Sequence, residues 1–588
     1  MKNEAMIRKL EISKYRGIQA LSWQPEAGVN IIIGGGDVGK TTILDAIGLL
    51  FSPTNSVVVS ESDFFARDNS NPFCVEAVIS LPPSTGIDTQ AIFAWPWGWD
   101  GNNAVELAPM EEDGGDVTAP YEPVYKVRVT GTADMELLWE IVQPSEQFSP
   151  FSVSLRRNIG LLKLSADDRS DRDLRLVFGS ALDRLLADSA LRSRIAHQIS
   201  EIDLNTALGE EGSKTLNELD KRLIKAALPS ELSLGLTTSQ GLSIGALIGL
   251  LAGTSGVSIP LANWGAGTRR LAALEIAGST KQHASVQTID EIERGLEPYR
   301  LRKLVNYIVS SKVQSFVTTH SPVAIECGTN ADLWYVDASG KIGKLERAKI
   351  ENQQKRDPET FLSKVAVICE GITEVGFMDC ILNKAFPATP LDYGVRVCDG
   401  GGNECTLNLL EALAKGGLLF AGIADNEGLF SGRWSSLKEK LGDNLLQWEG
   451  GCTEEMVLGA ISDDNLPKLL LSEDGEPLGE RLRTLADRLG IQDKDMDSIT
   501  EALAAQNLTL RQVITGAATG DKMGAPADQA KAWKSHGRKW YKHYEGGFEL
   551  AETMFSLGAW DKLKPTLLPL VNAILKASAL DPLETLDA

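Results

Sequence analysis

The sequence predicts an α/β protein with two parallel-sheet units and a helical segment inserted into the first. Three observations carry this. Val29–Ile33 is apolar but for Asn30 and runs into Gly34-Gly35-Gly36-Asp37-Val38-Gly39-Lys40-Thr41, which opens a helically spaced segment, Thr42–Phe51. Two later apolar runs, Val365–Cys369 and Leu418–Ala424, each end in acidic residues. From about Leu161 to Leu228, Leu and Ala recur at helical spacing among many charges. Continuous apolar runs of this length read as strands buried on both faces, and the 3.6-residue period reads as amphipathic helix.

In chain order, Ile7–Ile18 alternates as a strand and turn. Cys74–Val142 mixes short β-rich runs with Gly, Pro and Asp turns, so a packed antiparallel sheet is expected there. Trp95-Pro96-Trp97-Gly98-Trp99 falls in this region. We read it as part of that sheet, the alternative being a surface for stacking bases. The Leu161–Leu228 stretch predicts a helical arm for dimerisation. Ile259–Thr319 returns to α/β patterning, and the polar Lys344–Glu359 reads as a connector. Strands are then expected at Val365–Cys369, Tyr393–Val397 and Leu418–Ala424, and mostly helix from Leu466 onward. The expected domains are residues 1–155 and 233–357 for the first α/β unit, 156–232 for the insertion, and 358–588 for the second unit with its helical additions.

Composition sets outer bounds. The 588 residues exceed what one core usually supports. A hydrophobic content of 43% with 23% charged residues is that of a soluble globular protein. The net charge of −22 argues against coating nucleic acid with the whole surface, but leaves room for a local basic groove. Seven cysteines without a CxxC pair and five dispersed histidines give no zinc or disulfide framework, so a reducing cytoplasm is the expected location. Met1-Lys2-Asn3-Glu4 does not read as a signal peptide, and Leu242–Leu251 is too short and glycine-rich to span a membrane.

The glycine loop is a phosphate cradle. Gly34, Gly36 and Gly39 let backbone N–H groups approach phosphate, and the helix N-terminus adds its positive dipole end. Lys40 would reach the β- and γ-phosphates, Thr41 would bind Mg²⁺, and Thr42 continues the cradle. Ser285-Val286-Gln287-Thr288-Ile289-Asp290-Glu291 supplies the partner acids. Asp290 at a strand end would hold Mg²⁺ through water, and Glu291 would position or activate the attacking water. Trp264-Gly265-Ala266-Gly267-Thr268-Arg269-Arg270 precedes a helix, and Thr318-Thr319-His320-Ser321-Pro322 ends a strand. These resemble the signature and switch-histidine elements of ABC-type ATPases, with Ala266 where the signature serine is usual. Lys14-Tyr15-Arg16-Gly17 resembles the aromatic-Arg strand of RecF- and SMC-like heads. The resemblance implies an ATP-linked dimer in which Gly267 of one head and His320 help bind nucleotide.

The second constellation is acidic. Glu370-Gly371-Ile372-Thr373-Glu374 follows one apolar run, and Asp425-Asn426-Glu427 follows the other. Asp425 and Glu427 share a face in extended chain. Carboxylates gathered at adjacent strand ends need divalent cations to stay ionised. Mg²⁺ or Mn²⁺ there could orient water and stabilise a leaving oxygen in phosphodiester cleavage. Glu454 or Glu455 could add a ligand, and Lys531–His543 forms a basic stretch with Trp and Tyr.

These residues resemble a Toprim domain, with Glu427 in place of its second aspartate. The whole layout resembles the OLD (overcoming lysogenization defect) family: an ABC-type (SMC/RecF-like) ATPase head with an inserted helical arm, then a Toprim domain. It is similar to the Gabija nuclease subunit, which works with a UvrD-like helicase. The resemblance implies an ATP-regulated, metal-dependent DNA endonuclease in anti-phage defence, assembled as a homodimer or higher oligomer. Two Mg²⁺ or Mn²⁺ ions would be held by Glu370, Glu374, Asp425, Glu427 and Glu455 (Glu454 as the alternative). Lys542, or Lys539 as second choice, would lie near the scissile phosphate.

Overall fold

The structure is a computed structural model. It describes residues 5–89, 94–107, 121–144, 147–165, 171–177, 180–186, 191, 205, 208–236, 248–254, 256–279, 286–311, 313–472 and 474–586. The chain divides into two compact units, Met1–Lys344 and Leu345–Ala588.

The first unit holds two larger sheets. One has six strands, in the order Leu161–Leu164, Val286–Ile289, Gln314–Thr318, Val29–Gly34, Asp332–Val336 and Ile342–Leu345. Its first five strands are parallel to their neighbours. The Val29–Ile33 and Gln314–Thr318 strands are buried along their whole length, and their polar residues are buried with them. The other sheet is antiparallel and is built around Met6–Tyr15, Phe73–Ser80 and Glu122–Gly131. Apolar side chains of both sheets close one core with the Lys40–Leu50 helix, whose Ile43, Leu44, Ile47 and Leu50 are buried. Trp23 reaches across it, with its ring 5.5 Å from Phe316 and 5.4 Å from Trp334.

Trp97 is part of the antiparallel sheet, as expected. Its indole N–H donates to the Val142 carbonyl at 2.8 Å, and Lys126 Nζ lies 3.7 Å from its ring centre. Trp95 is exposed.

Two sequence expectations are corrected. Leu161–Leu164, read as the start of the helical arm, is a strand paired with Val286–Ile289 in the six-stranded sheet. A four-residue Leu-Leu-Lys-Leu run satisfies both a helical and a strand period, and the open sheet edge decides between them. Helices do follow at Ala181–Leu186 and Glu210–Lys225, and the latter buries Leu216, Leu219 and Leu223. The chain then enters a three-stranded antiparallel sheet, Ser230–Leu236, Ile248–Thr254 and Val257–Pro260. The 192–204 part of the predicted arm lies outside the described residues.

The polar connector is likewise ordered. Arg347–Arg356 is a helix of the second unit, with Ile350, Gln353 and Gln354 buried. Lys349 pairs with Glu411 at 2.9 Å, and Arg356 with Asp399 at 2.6 Å. Low hydropathy made this segment look like a linker, whereas ion pairs hold it in place.

The second unit is built on a four-stranded parallel sheet, in the order Val395–Asp399, Val365–Cys369, Phe420–Ala424, Leu445–Gln447. Helices Ile372–Ala385, Asn403–Gly416, Ser431–Leu441 and Thr453–Ala460 follow its strands. A helical layer, from Gly479–Leu489 to Trp560–Ala577, completes a single apolar core with the sheet.

One crossing in this layer is unusually close. A Cβ on Gly376 would lie 2.0 Å from the Tyr544 carbonyl oxygen, and one on Gly547 would lie 1.9 Å from that of Thr373. Helices Ile372–Ala385 and Tyr544–Ser556 therefore meet backbone to backbone. Among the described residues, no helix is long and apolar enough to cross a membrane.

We predict that Gly547→Ala costs about 1–3 kcal/mol by overpacking this crossing. Gly459→Ala meets nothing within 4 Å in the Thr453–Ala460 helix. It should be neutral or stabilising by up to about 1 kcal/mol. Urea unfolding of the two variants beside the parent checks both.

Candidate functional sites

The nucleotide candidate sits at the C-terminal end of the Val29–Gly34 strand, where open α/β sheets present ligands. Gly36, Asp37, Gly39, Lys40, Thr41, Thr42, Asp290, Glu291, Thr318 and His320 line a cavity of about 680 Å³. Gly34 ends its strand at φ +152°, and a Cβ there would sit 2.4 Å from the Val336 carbonyl oxygen. Gly39 turns into the helix at φ +96°. The buried Lys40 folds back on the loop, with Nζ donating to the Gly34 carbonyl at 3.1 Å and to that of Gly35 at 2.5 Å. Burial lowers its pKa, against the pull of Asp290, Asp37 and Glu291.

Asp290 is the hub of this site. Its Oδ1 accepts from the Thr41 hydroxyl at 3.3 Å and from the Thr318 hydroxyl at 2.5 Å. Arg270 donates to its backbone carbonyl. Thr318 in turn accepts from the Glu291 N–H at 2.8 Å. Glu291 is in the left-handed region at φ 46°. A non-glycine residue pays for that conformation, and the Thr318 bond helps hold it. His320 is exposed, and its backbone N–H donates to Glu293 Oε1 at 2.8 Å.

Gly267 does not line the cavity. It opens the Ala266–Ser279 helix and packs on Gly295, whose carbonyl oxygen would lie 2.1 Å from a Cβ there. Thr318, Glu293 and Arg270 were not assigned from sequence. Thr318 lay in the strand-end motif already singled out, and its position one strand from Asp290 was the available signal.

The acidic candidate lies at the C-terminal ends of strands Val365–Cys369 and Phe420–Ala424. Glu370 Oε2 accepts from the Asp425 N–H at 3.0 Å and from Asn403 Nδ2 at 3.1 Å. Trp434 donates to Asn403 Oδ1 at 3.1 Å and so orients it. Asp425 Oδ1 accepts from both the N–H and the hydroxyl of Thr453, at 3.0 and 3.2 Å. Glu370, Glu374 and Glu454 are buried. Glu427 is exposed at the rim.

The two adjacent glutamates part company. Glu455 Oε2 accepts from the Cys452 N–H at 3.1 Å and caps its own helix. Glu454 turns inward instead, beside Asp425 and Cys452. The first-choice ligand Glu455 is thus occupied as a cap. The Cys452-x-x-Glu455 spacing of a capping box was the sequence signal that separates them.

Crowding shows in the electrostatics. Burial raises the Asp425 pKa to about 7, with repulsion from Glu454 and Glu370 adding to it. Glu374 is pushed well up by burial, then by Asp425 and Glu454. Burial also raises Glu370, and Glu427 adds to the shift.

Lys542, itself exposed, is a cation whose charge acts on these acids. Burial pulls its pKa down, but Glu454, Cys452, Asp425 and Glu374 outweigh that and raise it. Its stem lies over Gly537, where a Cβ would be 3.1 Å from Lys542 Cδ. The residues before it anchor the turn. Trp540 and Tyr541 are buried, with Arg481 stacked 4.7 and 5.1 Å from their ring centres. Both of these aromatics of the basic stretch are core. Lys531, Lys534, Arg538 and Lys539 remain exposed. Lys539 pairs with Glu480 at 2.8 Å, so Lys542 is the lysine brought to the acids.

Residues 142–326 match the family model described as "AAA domain, putative AbiEii toxin, Type IV TA system". The first unit therefore carries an ATPase domain, and the matched span holds Asp290, Glu291, Thr318 and His320. A search of curated proteins returns no match. Among solved structures, an Smc head bound to the C-winged helix domain of ScpA is 16% identical, covering 58% of this chain and 97% of that one at a TM-score of 0.36. The SMC head domain from Thermotoga maritima is 13% identical, covering 58% and 99% at a TM-score of 0.28. The recombination mediator protein RecF of the RecFOR pathway is 13% identical, covering 59% and 99% at a TM-score of 0.32.

Two predictions follow from these geometries. Lys40→Ala should lower ATP turnover by at least about 100-fold, measured by phosphate release, because the loop then has no cation for the phosphates. The second concerns Asp425, whose folded-state pKa of about 7 lies above the ordinary 3.8. The folded chain then binds the extra proton, so this group's contribution to stability falls as pH rises between those two values. In chelator, Asp425→Asn should be more stable than the parent at pH 8 and lose that advantage near pH 4, as read by thermal unfolding.

Proposed function

We propose that this chain is an ATP-regulated, divalent-metal-dependent DNA endonuclease. The observation that carries the reading is the convergence of Glu370, Glu374, Asp425 and Glu454 at two parallel strand ends with Lys542 beside them. The donor set is all-oxygen apart from one thiol, which suits Mg²⁺ or Mn²⁺. Glu370, Asp425 and Glu454 would hold the ions, with Glu374 behind them and Glu427 at the rim. When bound, the ions would lower the pKa of water and stabilise charge on a phosphate.

The remaining roles belong to side chains. Asn403 and the Asp425 N–H fix the Glu370 carboxylate. Thr453 fixes Asp425. Lys542 would bind a non-bridging phosphate oxygen, and the exposed Lys531, Lys534 and Arg538 would carry the flanking backbone. ATP at the first unit would control assembly or access, with Asp290 and Thr41 holding its Mg²⁺ and Glu291 positioning water. Homodimerisation, a helicase partner and a role in anti-phage defence are proposed from the likeness of layout alone.

The test is conversion of supercoiled plasmid to nicked and linear forms with Mg²⁺ or Mn²⁺, with and without ATP. We expect Glu370→Ala and Glu454→Gln each to lose at least about 100-fold in rate. Lys542→Ala should lose more in cleavage than in DNA binding. Cleavage by Glu370→Ala at the parent rate would sink the reading.

A further inference from the structure

The loop between strand Leu445–Gln447 and helix Thr453–Ala460 is fastened to the acidic strand end at several points. The Asn426 N–H donates to the Gly451 carbonyl at 2.9 Å, and the Thr453 N–H to Asp425 at 3.0 Å. Gly451 takes φ +75° there, and a Cβ on it would lie 2.0 Å from Glu455 Oε2. This turn delivers Cys452 to the acids rather than to solvent. One ligand atom each of Asp425, Cys452 and Glu454 lies within 4.8 Å of the other two. Two ligands each about 2.0–2.4 Å from a shared ion stand at most about 4.8 Å apart.

A second observation is independent of the spacing. Glu454 is 2% exposed, its carboxylate takes a hydrogen bond from the Cys452 thiol, and among the described residues it forms no ion pair. A buried carboxylate without a paired cation is costly, and a bound ion is what would relieve it.

We propose that the Cys452 thiolate is a ligand of the ion held by Asp425 and Glu454, and that it biases the site toward thiophilic divalent ions over Mg²⁺. This rests on reading the acids as a metal centre. Mg²⁺ takes oxygen ligands and gains little from sulfur, whereas Mn²⁺, Co²⁺, Zn²⁺ and Cd²⁺ accept it progressively better. Binding exchanges the thiol proton for the metal–sulfur bond, so each ion bound through Cys452 releases one proton to solvent.

The experiment is titration of the full chain with Co²⁺ and Cd²⁺, read by the ultraviolet sulfur-to-metal charge-transfer band, with Mg²⁺ affinity measured by calorimetry. The parent should show the band and Cys452→Ser should not. The ratio of Cd²⁺ to Mg²⁺ affinity should fall about 10–100-fold in that variant. Should the variant fail to fold, iodoacetamide labelling of the parent, mapped by mass spectrometry, should show Cys452 protected by Cd²⁺. A band that persists in Cys452→Ser, or an unprotected Cys452, overturns the proposal. Mg²⁺ or Mn²⁺ binding without any band overturns it while leaving the acidic centre intact. Absence of all ion binding overturns both.

Discussion

Carboxylates buried together govern the second unit. Glu374 and Glu454 are almost fully enclosed, Glu370 nearly so, and Asp425 stands between them. Like charges at this spacing cannot all remain ionised in a low-dielectric setting without compensation. The fold meets the demand in part. Backbone N–H groups, Asn403 and Thr453 donate to the acids, and Lys542 is brought to their edge. What these donors leave unmet is the basis of the proposed cation site.

The helix crossing at Gly376 and Gly547 serves the same end. Tyr544–Ser556 begins two residues after Lys542, and Gly547 seats it against the Thr373 carbonyl, next to Glu374. A bulkier contact would lift the lysine away from the acids. Trp540 and Tyr541 lock the turn from below, and the Trp540 indole donates to Thr484 at 2.9 Å. Residues that look like a ligand-facing aromatic patch are thus the support for one cation. The first unit shows the same economy at Asp290, where a single carboxylate ties Thr41 of the phosphate loop to Thr318 of the neighbouring strand.

Much of this was legible in the sequence. Strong local constraints made it so: the glycine loop between strand and helix, and apolar runs ending in acids. The misreadings came where local pattern was degenerate. Leu161–Leu164 satisfies two periods, and its place in the sheet depends on a strand more than a hundred residues downstream. The Arg347–Arg356 helix has little apolar surface and is held by Glu411 and Asp399, which composition does not reveal.

By itself the sequence determined the α/β class, the phosphate loop with Lys40, Thr41 and Asp290, and the acids at the two strand ends. These follow from rules that act within a few residues: backbone freedom at glycine, side-chain alternation, continuous burial. Only the tertiary structure turned Glu454 rather than Glu455 toward Asp425, brought Lys542 rather than Lys539 toward the acids, and set Cys452 beside them. Each of those choices turns on direction rather than identity. Neighbouring residues of the same type differ only in which face of a helix or turn they occupy, and that face is set by packing between segments far apart in the chain.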